Sequence, residues 1–287
     1  MSASQHVNAR PADLSKWLMG AVSLLIYLFL YLPIAIVILY SFNETKVSVW
    51  PIQTYTLDWY RELRTDTELI NAVKLSVRVA LVAAGSAMVL GTLGALALDR
   101  HKIRFKPGIR FLIVLPITLP GVVTGIALLA YFSLSDQPLS FWSTEILGVT
   151  FPWPLIIAHI TFSITLVLST VSARLYQMPR FLDEASADLG ASPLRTFRKV
   201  TLPLIFPAML SGGILAFTLS FDEVVVSLFL KGRENTLPLL IWGRLRLGLS
   251  PEINAVATVI TVVSLLGILA STLLIGKAFW TGEARST

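Results

Sequence analysis

The chain has 287 residues, 55% of them hydrophobic and only 14% charged, with a formal net charge of +6 and no cysteine. Soluble domains carry roughly 25% charged residues, so this chain cannot cover a water-facing surface and is read as an all-α, polytopic membrane protein. The missing cysteines exclude disulfides, thiolate metal sites and cysteine nucleophiles, and with no aromatic-basic module the positive charge reads as loop lysine and arginine rather than nucleic-acid binding.

A tail, 1–16, leads into the first of six predicted transmembrane helices, at about 17–42, 71–98, 108–134, 152–175, 205–230 and 253–277. Each is long enough to cross a hydrocarbon core of about 30 Å. The first run, Trp17 to Phe42, is longer than a signal-peptide core of roughly 7–15 residues and lacks a small-x-small cleavage site after it, so it reads as an uncleaved span. All seven tryptophans (Trp17, Trp50, Trp59, Trp142, Trp153, Trp242 and Trp280) fall at span ends or between spans, where interfacial anchors sit.

Between the first two spans, Trp59-Tyr-Arg-Glu-Leu predicts a short surface helix. The segment after the second span is dense in Arg100, Lys102, Arg104, Lys106 and Arg110, whereas 135–150 has no lysine or arginine and carries Asp136 and Glu145. The positive-inside rule then puts both termini in the cytosol, with 279–287 as a second tail. In the third span, Leu115-Pro-Ile-Thr-Leu-Pro-Gly-Val-Val-Thr-Gly125 is either a pathway wall or a proline kink. His159, alone in the fourth span, reads as a helix-packing histidine, and Ser133, Ser135 and Ser143 lack triad partners. No catalytic residue and no metal ligand is expected.

The polar run Pro179–Pro203 interrupts this pattern. Pro179 suits a first helical turn, Arg180 and Glu184 are spaced to pair, and Gly190 offers a left-handed stop. Ser192-Pro193 starts a second helix, running to about Val200, and Leu202-Pro203 turns the chain into the fifth span. Leu182, Ala185, Ser186 and Leu189 form one small apolar face suited to a cleft on a rigid partner.

Glu184-Ala185-Ser186, three residues, Gly190, nine residues, then Val200-x-Leu202-Pro203 resembles the EAA loop of ABC-importer permeases, E-A-A-x3-G-x9-I-x-L-P. Serine replaces the second alanine and valine the isoleucine. Tyr31-Leu-Pro-Ile…Tyr40-Ser-Phe-Asn43, Ala216–Val226 and Gly248–Thr258 are similar to permeases of polyamine importers, with putrescine slightly favoured over spermidine.

The resemblance implies a type I ABC-importer (MetI-like) transmembrane domain over 17–278, in a bacterial inner membrane, with a cytosolic coupling loop, 176–204. It further implies a second permease chain, two ATP-binding subunits and a periplasmic binding protein. Glu184, Ala185, Ser186, Gly190, Leu202 and Pro203 would then couple to the ATPase. No Walker loop exists here, so ATP and magnesium would be bound by the partner and this chain would be no enzyme.

In the fifth span Asp222 and Glu223 are costly intramembrane carboxylates and mark a substrate path for a cationic amine, or else a structural ion pair or water-exposed helix end. On a continuous helix they would point about 100° apart, so one would line the route and the other pack aside. In the outer segment 231–252, Leu237–Leu247 predicts an interfacial or dipping helix, with Arg244 and Arg246 as anchors or binding-protein contacts. Two alternatives stay open: a same-fold importer for another small solute, and a stand-alone channel or ion-coupled carrier.

Overall fold

The computed structural model describes residues 12–45, 50–134, 137–179, 181–248 and 250–283. Expectations resting on Arg10 and the tail to residue 11, on Ser135 and Asp136, on Arg180 and its pairing with Glu184, and on Arg285 lie outside the described residues, as do the side chains of Lys277 and Trp280. In chain order the helices are α1 (Ala12–Tyr40), α2 (Asp58–Glu62), α3 (Thr67–Arg100), α4 (Lys106–Thr118), α5 (Gly121–Ser133) and α6 (Trp153–Gln177). They continue as α7 (Phe181–Asp188), α8 (Pro193–Thr196), α9 (Leu202–Phe221), α10 (Val225–Leu230), α11 (Leu237–Arg246) and α12 (Pro251–Glu283).

The residues form two compact units, one reaching to Asp66 and resuming at Arg244, the other Thr67–Gly243. In the first, α1 leaves its side chains from Lys16 to Ile36 exposed, as suits a helix meant for hydrocarbon rather than a water-excluding core. The short helix expected around Trp59 is α2, pinned by the Trp59 indole N–H donating to the Asn43 carbonyl at 2.8 Å. Arg244 pairs with Asp66 at 2.7 Å and Glu252 at 2.6 Å, which commits that cation to its own chain.

The second unit is built on α3, α6 and α9. Alanine and glycine let the three helices approach: Ala84, Ala87, Val167, Val171, Ile205 and Ala216 are buried together. A Cβ on Gly91 would stand 2.9 Å from the Val167 Cβ, and one on Gly212 would stand 2.9 Å from the Val167 Cα. Small residues at such crossings are how helices pack where lipid supplies no hydrophobic drive between them. A second cluster joins Leu75, Val79, Leu155, Ile156, Phe162, Val226 and Leu230.

Among the described residues, four helices are long and apolar enough to span, namely Lys16–Tyr40, Thr67–Arg100, Trp153–Gln177 and Pro193–Phe221. The third expected span is instead a pair, α4 and α5, bent by 102°. Pro120 has no N–H to donate and forces Leu119 out of helical geometry, to ψ 144°, so the chain breaks rather than kinks. The sixth expected span falls in α12, whose described apolar stretch is Pro251–Leu266.

Three details correct the sequence reading. Leu202-Pro203 does not turn the chain: helix runs on from α8 through a π-helical turn, Phe197–Thr201, into α9. The Leu202 N–H donates to the Phe197 carbonyl five residues back, and the register slips next to Pro203, which has no N–H and would break the ordinary ladder anyway. The fifth span ends at Phe221, with α10 a separate helix starting at Val225, because the backbone leaves helical geometry at Asp222, at φ −94° and ψ 1°. The loop between α5 and α6 also holds a hairpin, β1 (Ser143–Ile146) paired with β2 (Val149–Pro152). Leu147 and Gly148, at φ +52° and +75°, make its two-residue turn, the left-handed pair a tight hairpin requires.

Candidate functional site

The EAA-like loop folds as a helical hairpin at the Arg100 end of α3. Acidic Asp183 and Glu184 occupy the first turn of α7, where the helix dipole favours them. Gly190 ends that helix at φ +75°, its N–H donating to the Ala187 carbonyl at 2.8 Å and the Ala191 N–H to the Ser186 carbonyl at 3.1 Å. Ser192 takes the N-cap position with Pro193 behind it, but its hydroxyl makes no capping bond.

The Ser186 hydroxyl is instead 2.8 Å from that of Thr196, stitching α7 to α8. Ser186 and Leu182 are therefore half-buried, while Glu184, Ala185, Leu189 and Gly190 are exposed. The expected apolar face divides accordingly: its inner half closes the hairpin and its outer half faces away from this chain. Leu202 is half-buried and Pro203 exposed in the first turn of α9. Beside α8 lies a basic concavity of about 510 Å³ lined by Ser192, Leu194, Arg195, Arg198 and Lys199.

Arg100 holds this hairpin to the bundle. Its guanidinium pairs with Asp183 at 2.8 Å and donates to the buried Thr201 hydroxyl at 2.9 Å, within the π turn. Arg174 adds a bond from Nε to the Leu204 carbonyl at 2.9 Å. Sequence reasoning singled out neither Arg100 nor Thr201 for this role. They are 101 residues apart and no spacing rule joins them.

Farther along α9 lies the break that carries the two acidic residues. Asp222 closes α9 at φ −94°, ψ 1° and is exposed. Glu223 is half-buried, and its carboxylate accepts the Val226 N–H at 2.9 Å, capping the first turn of α10. The two carboxylates therefore do not share one continuous helix; they lie in the gap between two. On the other side of the gap, α10 packs on α5, with Val225 against Gly121 and Phe229 against Gly125. The two interrupted helices thus meet just past their breaks.

His159 of α6 is buried against the same break, its Nδ1 at 2.7 Å from the Ser220 hydroxyl and its Nε2 at 3.2 Å from that of Ser227. Among the described residues no three His, Asp or Glu side chains gather at a metal-holding spacing.

Long apolar helices, a polar helical hairpin at one end and two interrupted helices packed together define a multi-pass membrane transport subunit. Residues 87–277 match the profile of the binding-protein-dependent transport system inner membrane components, and the chain belongs to that family. It is 39% identical over 268 residues to the putrescine transport system permease protein PotI of Escherichia coli (strain K12), covering 92% of each chain. It is 38% identical over 263 residues to the spermidine/putrescine transport system permease protein PotC of the same organism, covering 91% of this chain and 95% of that one. Among solved structures it superposes at TM-score 0.64 and 17% identity on a chain of a bacterial ABC transporter involved in the import of the acidic polysaccharide alginate, covering 93% of this chain and 98% of that one. The fold is thus the type I, MetI-like transmembrane domain of ABC importers.

Proposed function

We propose that this chain is the permease subunit of an ATP-driven polyamine importer, with putrescine as the first candidate cargo and spermidine the next. The observation that carries the reading is likeness over nine-tenths of the chain to two polyamine permeases. The exposed Asp222 at the break adds a group suited to a diammonium ligand. Both termini lie in the cytosol, with residues 1–16 and 279–287 as tails around a permease domain at 17–278.

A second permease chain completes the pathway, a periplasmic binding protein delivers the cargo, and two ATPase subunits bind ATP and magnesium. Those ATPases grip the exposed half of the EAA-like face, around Glu184, Ala185 and Gly190. Closure of the ATPases moves α7 and α8, and through Arg100 and the π turn the movement reaches α9 and the break twenty residues beyond. Alternating access follows because ATP and cargo bind the two states of the pathway unequally. No chemistry occurs on this chain.

Calorimetric titration of the partner binding protein with putrescine and spermidine tests the cargo. Micromolar or tighter affinity for either is expected. No measurable affinity for polyamines would leave the chain a permease for another solute.

A further inference from the structure

His159 sits in a chain of hydrogen bonds whose direction the geometry decides. The Ser227 hydroxyl is 2.8 Å from the Glu223 carbonyl, which can only accept, so the one Ser227 proton is spent there. Ser227 must then accept from His159, and Nε2 carries the ring proton. For an uncharged imidazole that leaves Nδ1 bare, able only to accept from the Ser220 hydroxyl at 2.7 Å. The order is Ser220 to His159 to Ser227 to the backbone of Glu223, each link using one donor and one acceptor.

The partners stand on opposite sides of the gap. Ser220 belongs to the last turn of α9, two residues before Asp222, and Ser227 to α10, four residues after Glu223. His159, Ser220 and Ser227 are all buried. Both ring nitrogens of a buried imidazole require partners, and here the two partners stand on the two broken ends. The chain finishes on a carbonyl, which cannot pass a proton on, so it is a strut and not a proton path.

We propose that His159 is a positioning residue for the substrate gate. By tying the end of α9 to the start of α10, it fixes the Glu223 carbonyl, and with it the directions in which Asp222 and Glu223 are presented. The gating role rests on the function proposed above; the strut itself does not.

The test uses the assembled transporter and four variants, His159→Phe, Ser220→Ala, Ser227→Ala and His159→Gln. Phenylalanine keeps a ring but loses both bonds; with the histidine left in place, Ser220→Ala removes one link and Ser227→Ala removes two, the one from His159 and the one to the Glu223 carbonyl. Glutamine offers one acceptor and a donor from a single amide. Hydrogen–deuterium exchange of the segment 222–230 should rise about tenfold in the first three, the size expected for one buried bond left unmade, with the segments of α3 unchanged. Import per ATP hydrolysed should fall about tenfold in the same three, and glutamine should restore most of both readouts.

Should His159→Phe fail to assemble, the two serine variants decide the matter. Unchanged exchange at 222–230, or raised exchange with unchanged import per ATP, overturns the proposal. A parent complex that moves no polyamine contradicts the cargo assignment alone, and the exchange measurement still decides the strut.

Discussion

Arg100, the last residue of α3, pairs with Asp183 in the first turn of α7 at 2.8 Å. The same guanidinium reaches the buried Thr201 hydroxyl, so one side chain joins the bundle, α7 and the π turn that feeds α9. Both charges are about one-third exposed, so the ion pair contributes less than about 1 kcal/mol to stability. Its value lies in geometry. Arg100→Gln should leave thermal stability nearly unchanged while import per ATP falls several-fold; Arg100→Lys should recover part of it, because Asp183 and Thr201 are both met by the single nitrogen Nη2 and one ammonium can donate to both. Paired measurements of ATP hydrolysis and uptake in proteoliposomes check this.

The proposed docking surface gives a different signature. Glu184→Lys reverses a charge on an exposed site at a helix N-terminus, and Gly190→Val puts a branched side chain at φ +75°, at a cost of roughly 1–2 kcal/mol. Both variants should insert normally yet lose most co-purification with the ATPase subunits. Full co-purification in both would remove the EAA-like loop from the coupling assignment.

At the break the two carboxylates should separate by chemistry. Asp222→Asn removes an exposed charge that no hydrogen bond among the described residues demands, and uptake of a dication should fall about tenfold. Glu223→Gln keeps a carbonyl oxygen able to accept the Val226 N–H and should be milder, whereas Glu223→Ala loses the cap, worth about 1 kcal/mol. Concentration dependence of uptake for the three variants distinguishes lost attraction from a lost cap.

Packing gives a prediction independent of transport. Gly91→Ala would place its Cβ 2.9 Å from the Val167 Cβ and close to the Ile164 carbonyl, so α3 and α6 must part. Destabilisation of about 1–3 kcal/mol is expected, read as a lower midpoint in thermal unfolding of the detergent-solubilised subunit.

Local chemistry made much of this legible before the structure. Gly190 was expected as a left-handed stop and has φ +75°; the helix around Trp59 and the apolar helix from Leu237 both form. What escaped depends on groups that spacing does not join. Leu202-Pro203 looks like a turn because proline usually ends a helix, yet a π register absorbs its missing N–H. Asp222 and Glu223 were counted on one continuous helix because the flanking residues are apolar throughout, and only the capping bond to Val226 makes a second helix start there. His159 stood out as a lone polar residue, but its two serine partners lie 61 and 68 residues downstream. Arg100 looked like one more positive-inside residue until Asp183, 83 residues on, came beside it.

The central claim is that this chain passes polyamines only when separate ATPases drive it through the 176–204 loop. Radiolabelled putrescine uptake into proteoliposomes tests it directly, with the chain reconstituted alone and with its partner permease, ATPase subunits and binding protein. The account predicts accumulation against a gradient in the complete assembly with ATP, and none from the chain alone. Uptake by the isolated chain, or a complete and ATP-hydrolysing assembly that moves no polyamine, would contradict it.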